Sequence, residues 1–294
     1  MTDITNVGFI GLGAMGNPMS GHLAAAAYQV SGFDPDVDNM AKAVGRGVTQ
    51  AASATEVGKN ASIVLMCLPS MAIVEATIDE LLEQLPAGST IVDHSTISPD
   101  LAATLEQRCA TKQVAFLDAP LSGAWQGAEA ASLAIMVGGA ETAYQQCLPL
   151  FEKMGKNVFH LGVVGNGQCM KLCQNLILVS TLTGLLESRQ LAESVGVDTE
   201  KFLNVMDACL APRGVLDITR PKLVNGTVDN NSHGIEMITK DITLVRKLAE
   251  KQGQHLPVME KVQSMFAKAN DSGFGAYDLF AWPEFLESGL FDEF

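Results

Sequence analysis

The segment Val7-Gly8-Phe9-Ile10 runs directly into Gly11-Leu12-Gly13-Ala14-Met15-Gly16, and a helical stretch follows. A short apolar strand, a Gly-x-Gly-x-x-Gly turn and a helix in that order leave few folds open. Gly11 permits the tight turn. Gly13 lets the backbone approach a pyrophosphate, whose charge sits on the helix N-terminus, and Gly16 allows the helix to pack closely on the strand. Asp34 closes the next strand 18 residues after Gly16, where an acidic residue meets an adenosine ribose. Gly11, Leu12, Gly13, Ala14, Met15, Gly16 and Asp34 are therefore the expected cofactor-binding set. Pro35, Asp36 and Asp38 follow, with no Arg before Arg46. Carboxylates there accept hydrogen bonds from ribose hydroxyls and repel a 2′-phosphate, so NAD is expected rather than NADP.

The rest of the chain changes character partway along. Val7–Ile10, Gln29–Phe33, Ser62–Leu68, Thr90–Asp93, Val114–Leu117, Leu133–Val137 and Val158–Leu161 read as strands that are apolar on nearly every residue. That is the pattern of strands covered on both faces. Helix candidates such as Met71–Leu85 and Pro99–Thr111 lie between them. Alternation of this kind predicts a parallel sheet with helices on both sides. Beyond residue 162 the strand signal fades, and residues 165–195 read as one long helix. Thr199–Cys209, Ile235–Gln252 and Pro257–Asn270 extend the helical pattern. The expected fold is α/β: an N-terminal, Rossmann-like doubly wound sheet over 1–163, joined by the long helix to an all-α domain over 164–294.

Composition removes several function classes. A net charge of −14 repels phosphate backbones, so no nucleic acid partner is expected. A small anion could still bind in a local pocket of amides and cations. The six cysteines form no CxxC pair, and neither they nor the five histidines fall at metal spacing. They read as reduced core thiols and as structural or surface histidines, with no metal expected. No basic, apolar leader is visible and no run of about 18 uninterrupted apolar residues occurs. A cytoplasmic protein without a membrane span is expected.

Lys171 is in an unusual place. It follows Gly162-Val163-Val164-Gly165-Asn166-Gly167 in the early turns of the long helix, and Asn175 shares its face one turn on. That face continues through Leu178, Val179 and Leu182. The positive helix end and burial both favour a neutral amine, which suits a proton donor and acceptor. Spacing alone fits a snorkelling surface lysine equally well.

Taken together, these stretches resemble the β-hydroxyacid dehydrogenase family, which takes in 3-hydroxyisobutyrate dehydrogenases and tartronate semialdehyde reductases. The resemblance runs nearly end to end. GFIGLGAMGNPM over 8–19 is similar to the family's cofactor fingerprint, and Leu68-Pro69 to the pair closing a cofactor-facing strand. Ser95-Thr96 resembles a Ser-Thr pair whose Thr contacts the nicotinamide side. Asp118-Ala119-Pro120-Leu121-Ser122-Gly123 resembles the substrate-binding stretch, and Gly165-x-Gly167-x-x-x-Lys171-x-x-x-Asn175 the catalytic motif. Lys240-Asp241 resembles a later pair whose Lys reaches the cofactor.

The resemblance implies an NAD-dependent dehydrogenase moving hydride between the nicotinamide and a small 3-hydroxy acid, or its semialdehyde in reverse. Lys171 would exchange the hydroxyl proton and Asn175 would orient the reacting oxygen or Lys171. Ser122, Gly123 and Ala124 would hold the substrate carboxylate; Leu68, Pro69, Thr96 and Lys240 would complete the cofactor site. A tartronate semialdehyde reductase, or another small hydroxyacid or sulfonate dehydrogenase, is the alternative. The retained Lys171 speaks against an imine reductase and against a dinucleotide-binding scaffold. A homodimer or homotetramer is implied, since the family pairs through its helices. Ala124 and Ala131 stand where the family has Gly, in positions that often need positive φ or little space. Trp125 either packs as a structural aromatic or walls the pocket. Arg213 is either an exposed loop residue or a contact to a second anionic group.

Overall fold

The computed structural model describes residues 6–194, 196–209, 220, 224, 234–251, 257–279 and 289. The chain divides into two compact units, Met1–Lys171 and Leu172–Phe294.

In the first unit β1 (Asn6–Ile10), β2 (Gln29–Phe33), β3 (Thr49–Gln50), β4 (Ile63–Met66), β5 (Thr90–Asp93) and β6 (Ala115–Asp118) form one parallel sheet. The strand order is β3-β2-β1-β4-β5-β6. Helices α1 (Gly16–Ala25) and α2 (Val37–Gly45) carry the chain outward from β1, and α3 (Ala54–Asn60) brings it back. Helices α4 (Met71–Leu82) and α5 (Pro99–Thr111) then carry it the other way. Successive residues of a strand face opposite sides. Val7, Phe9, Ile63 and Leu65 accordingly enter one core cluster, and Ile10, Val64, Met66 and Ile91 another. Both faces are dry, which is why the strands read as continuous apolar runs. The order reverses between β1 and β4, and such sheets bind ligands at the C-terminal ends of the strands beside that reversal.

Several helix starts are encoded locally. Asp36 accepts from the backbone N–H groups of Asp38 and Asn39 at the start of α2. Ser70 and Ser98 accept from the N–H groups of Ile73 and Leu101 at the starts of α4 and α5. A side-chain oxygen at such a position satisfies a helix N–H that otherwise has no partner.

One expectation needs correction. The runs at Leu133–Val137 and Val158–Leu161 do not extend the parallel sheet. They belong to a second sheet of β7 (Leu121–Ser122), β8 (Leu133–Val137) and β9 (Gly155–His160), in which β7 is antiparallel to β8 and β9 parallel to it. Helix α6 (Ala124–Glu129) lies between β7 and β8, and α7 (Glu141–Met154) between β8 and β9. An apolar run reports burial, not pairing partner. The two-residue β7 reverses the chain, so β8 pairs with β7 and β9, and beyond its end Gly138 meets β6 only through an antiparallel bridge to Asp118. Strand β9 is covered unevenly, with Phe159 half exposed.

Helix α8 (Asn166–Ser194) begins in the first unit and continues in the second. The second unit also holds α9 (Thr199–Ala208), α10 (Ile235–Lys251), α11 (Pro257–Ala269) and a π-helical turn, Asn270–Phe274. The described part of this unit holds helices joined by turns, and its β pairing is an isolated bridge between Gly234 and Asp278. Residues Asn166–Leu186 have a mean hydropathy of 1.4, which by length and composition is enough to cross a membrane. Polar residues such as Gln168, Lys171, Gln174 and Asn175 punctuate it, so it holds no uninterrupted apolar run of that length. Gln168 and Asn175 within it are buried in protein.

Candidate active site

The glycine loop stands at the reversal point, beside the end of β4. Gly11 has φ +84°, and a Cβ there would lie 2.3 Å from the Cys67 carbonyl oxygen. A Cβ at Gly16 would lie 1.9 Å from the carbonyl oxygen of Gly11. Both glycines are demanded by the protein's own packing. Gly13 is different: a Cβ there meets no atom within 4 Å, and no positive φ requires glycine. Space kept open at that one position of the loop fits a pyrophosphate approaching the backbone. Asp34 ties the loop to the end of β2. Its Oδ2 accepts from the Leu12 N–H at 2.7 Å and its Oδ1 from the Asp36 N–H at 2.8 Å. Each oxygen keeps lone-pair capacity for a ribose hydroxyl. Arg46 is engaged in a bidentate pair with Glu129, at 3.0 and 2.7 Å. Leu12, Gly13, Ala14, Asn17, Lys42 and Arg46 border a cleft on that side of the loop.

The ends of β4 and β5 meet through Ser95, whose Oγ accepts from the Leu68 N–H at 2.8 Å. Leu68 and Thr96 are half-buried and Pro69 is exposed. Asp118 ends β6 and is fully buried. It accepts from the backbone N–H groups of Gly165 and Gln168, both at 2.8 Å, and so caps α8 from 47 residues upstream. Burial pushes its carboxyl up to about 6, against the downward pull of the two amides. Gln168, also fully buried, donates from Nε2 to the Ser95 carbonyl at 2.8 Å and accepts at Oε1 from the Ile97 N–H at 3.1 Å. Lys171 is half-buried one turn further along α8. The sequence placed Asp118 in the stretch resembling a substrate-binding motif, not at the start of α8, and gave Gln168 no role. The available signal was Gly165, a residue without a capping side chain, ahead of a long helix.

Ser122 in β7 is half-buried, and Gly123 has φ +133°. Ala124 and Ala131 have φ of 52° and 49°. The backbone shape that glycine would relieve is present at both positions without glycine. Trp125, in the first turn of α6, is 36% exposed. Of the histidines, His94 is buried against Phe151, its Nδ1 2.7 Å from the Ala119 carbonyl oxygen, and burial lowers it to about 4. His22 and His160 also bond to backbone carbonyls.

In the second unit Asn175 is buried and donates from Nδ2 to Asp241 Oδ2 at 2.8 Å. The Lys240 Nζ lies 3.3 Å from the other carboxylate oxygen. Asp241 thus gathers two of the expected site residues. One Nδ2 hydrogen is used by Asp241, which leaves Asn175 its second N–H donor and Oδ1 as an acceptor. Arg213, His233 and His255 lie outside the described residues. Among the described residues no group of three or more His, Cys, Asp and Glu side chains is placed to hold a metal.

A doubly wound sheet with this glycine loop, followed by a helical unit, defines a nicotinamide dinucleotide-dependent oxidoreductase. Residues 6–162 match the family model described as the NAD binding domain of 6-phosphogluconate dehydrogenase. Residues 165–284 match that described as NAD-binding of NADP-dependent 3-hydroxyisobutyrate dehydrogenase. The chain belongs to the β-hydroxyacid dehydrogenase family. It is 34% identical to the mitochondrial 3-hydroxyisobutyrate dehydrogenase of Drosophila melanogaster over 93% of this chain and 86% of that one. It is 30% identical to an NAD-dependent L-serine dehydrogenase of Pseudomonas aeruginosa over 92% and 94%. Its fold is similar to the solved Mycobacterium tuberculosis 3-hydroxyisobutyrate dehydrogenase with L-serine: TM-score 0.88, 28% identity, covering 97% of this chain and all of that one.

Proposed function

We propose that this oxidoreductase oxidises a small 3-hydroxy acid of the 3-hydroxyisobutyrate type with NAD, or reduces its semialdehyde, with Lys171 as proton acceptor and donor. The observation that carries the reading is the position of Lys171. It is half-buried in the second turn of α8, within the same compact unit as the glycine loop and the Thr96 loop.

The bound nicotinamide supplies the hydride chemistry; the protein binds, orients and moves the proton. Gly11 to Gly16 would hold the pyrophosphate, Asp34 the ribose, and Leu68, Pro69, Thr96 and Lys240 the remainder of the cofactor. Ser122 and the amides of Gly123 and Ala124 bind the substrate carboxylate. In oxidation the neutral Lys171 amine takes the hydroxyl proton, and Asn175 Oδ1 orients the reacting groups. The carboxylates Asp34 and Asp36, with Arg46 engaged by Glu129, support NAD over NADP.

Six free cysteines support a reducing, cytoplasmic setting. The acidic charge speaks against nucleic acid, and the buried polar groups of α8 against a membrane role. Met170 and Ile177, exposed and seven residues apart on α8, support pairing into a homodimer or homotetramer.

NADH formation across a panel tests the reading. The panel holds 3-hydroxyisobutyrate, L-serine, glycerate, 4-hydroxybutyrate and sulfonated three-carbon analogues. A 3-hydroxy acid with NAD should lead, with NADP at least about tenfold poorer in kcat/KM. Lys171→Ala should lower kcat by about 10²–10⁴. A variant keeping more than about a tenth of wild-type kcat, with the same pH profile, would overturn the role of Lys171.

A further inference from the structure

The helix that carries Lys171 starts with a turn held from outside. Asp118 accepts two of its amides, and the Gln168 side chain bonds the Ser95 carbonyl and the Ile97 N–H, the two backbone groups that flank Thr96. Ser95 Oγ accepts in turn from Leu68. One continuous set of hydrogen bonds therefore runs from the end of β4, through the Thr96 loop, to a point three residues before Lys171. The joint leaves no room to slide. A Cβ at Gly167 would lie 2.4 Å from the Met136 carbonyl oxygen and 2.8 Å from Asp118 Oδ2. A Cβ at Gly138 would lie 2.5 Å from Asp118 Oδ1.

The chemistry at position 168 is specific. Ser95 offers only an acceptor and Ile97 only a donor, so the bridging side chain must donate with one atom and accept with another. A primary amide does both; a carboxylate cannot donate and an ammonium cannot accept. Both groups are fully buried, so an unmet bond is costly there.

We propose that Gln168, braced by Asp118, is a positioning residue: it sets the Lys171 backbone against the Thr96 loop without touching substrate or cofactor. The inference rests on the proton-transfer reading of Lys171. Proton transfer needs donor and acceptor about 2.6–3.2 Å apart, and a misplacement of about 1 Å costs on the order of 10²-fold. A flexible lysine meets that tolerance only if its backbone is fixed.

The test uses the full chain with Gln168→Met, which keeps length and loses both bonds, and Gln168→Glu, which in its ionised form keeps only an acceptor. NADH affinity should stay within about threefold while kcat falls at least about tenfold. The solvent deuterium isotope effect should grow, because proton transfer becomes slower. In the protein without ligands, amides 165–171 should exchange faster. In a Lys171→Ala background, read by single turnover, the Gln168 substitutions should cost nothing further, since no amine remains to be placed. If the loss recurs in full in that background, Gln168 is a general structural residue and the inference fails. It fails equally if amides 165–171 loosen while kcat stays above half. If Lys171→Ala keeps wild-type turnover, the proton-transfer reading itself falls, and the inference with it. Should Gln168→Met not fold, Gln168→Glu decides by the same outcomes.

Discussion

At Gly13 folding asks for nothing: a methyl group would meet no protein atom within 4 Å. Gly13→Ala should therefore leave the melting temperature within about 2 °C of wild type, as for substitutions away from packed features. NADH affinity should fall at least about tenfold, because the methyl occupies the approach of the pyrophosphate. Equal loss of stability and affinity would show that Gly13 serves the fold. Asp118 carries a pH signature. Its carboxyl lies at about 6 in the folded protein, against an ordinary 3.8. The native state thus holds this proton to higher pH than the unfolded chain, and the stability this group contributes falls as pH rises from about 4 to 6. The size is about 3 kcal/mol at most. Asp118→Asn removes the titration and one amide acceptor. Wild type should be the more stable form near pH 4, with the gap narrowing toward pH 7 in urea melts. A gap that widens over that range would mean the ionised carboxylate is the favoured form.

Among the elements, β2, β5 and β8 run between the bounds read from apolar runs, and α5 between those of its helix candidate, Pro99–Thr111. Strand β7 was invisible because two residues, Leu121 and Ser122, carry no periodicity. The separate sheet of β8 and β9 was invisible because hydrophobicity does not name a partner. The glycine loop and Asp34 were legible because their constraint is local. Helix α6 adds its own prediction. Ala124 opens it and Ala131 follows it, with φ of 52° and 49°. A left-handed conformation costs an L-residue roughly 1–2 kcal/mol, and the greater freedom of unfolded glycine returns part of that. Ala124→Gly and Ala131→Gly should each raise stability by about 0.5–1 kcal/mol in chemical denaturation. A loss at either site would mean that the alanine methyl packs well enough to outweigh the strain.

Across the whole molecule, a net charge of −14 opposes compaction. Raising salt from about 10 mM to 200 mM shortens the screening length from about 30 Å to under 10 Å. The melting temperature should rise by a few degrees over that range, and a flat response would show that the carboxylates are already compensated by close cations. Lys171 stood out in the sequence, whereas the groups that brace its helix did not, because Asp118 reaches its partners across 47 residues. That separation also makes the start of α8 depend on a distant part of the chain. Helices α2, α4 and α5 bring a cap with them and can begin as soon as their own segments condense. The first turn of α8 contains no such instruction. Its amides find their acceptor only after β6 has joined the sheet and the chain has returned past β9. A chain whose β6 has not joined the sheet therefore has no acceptor for the Gly165 and Gln168 amides, and the turn ahead of Lys171 is left without its cap.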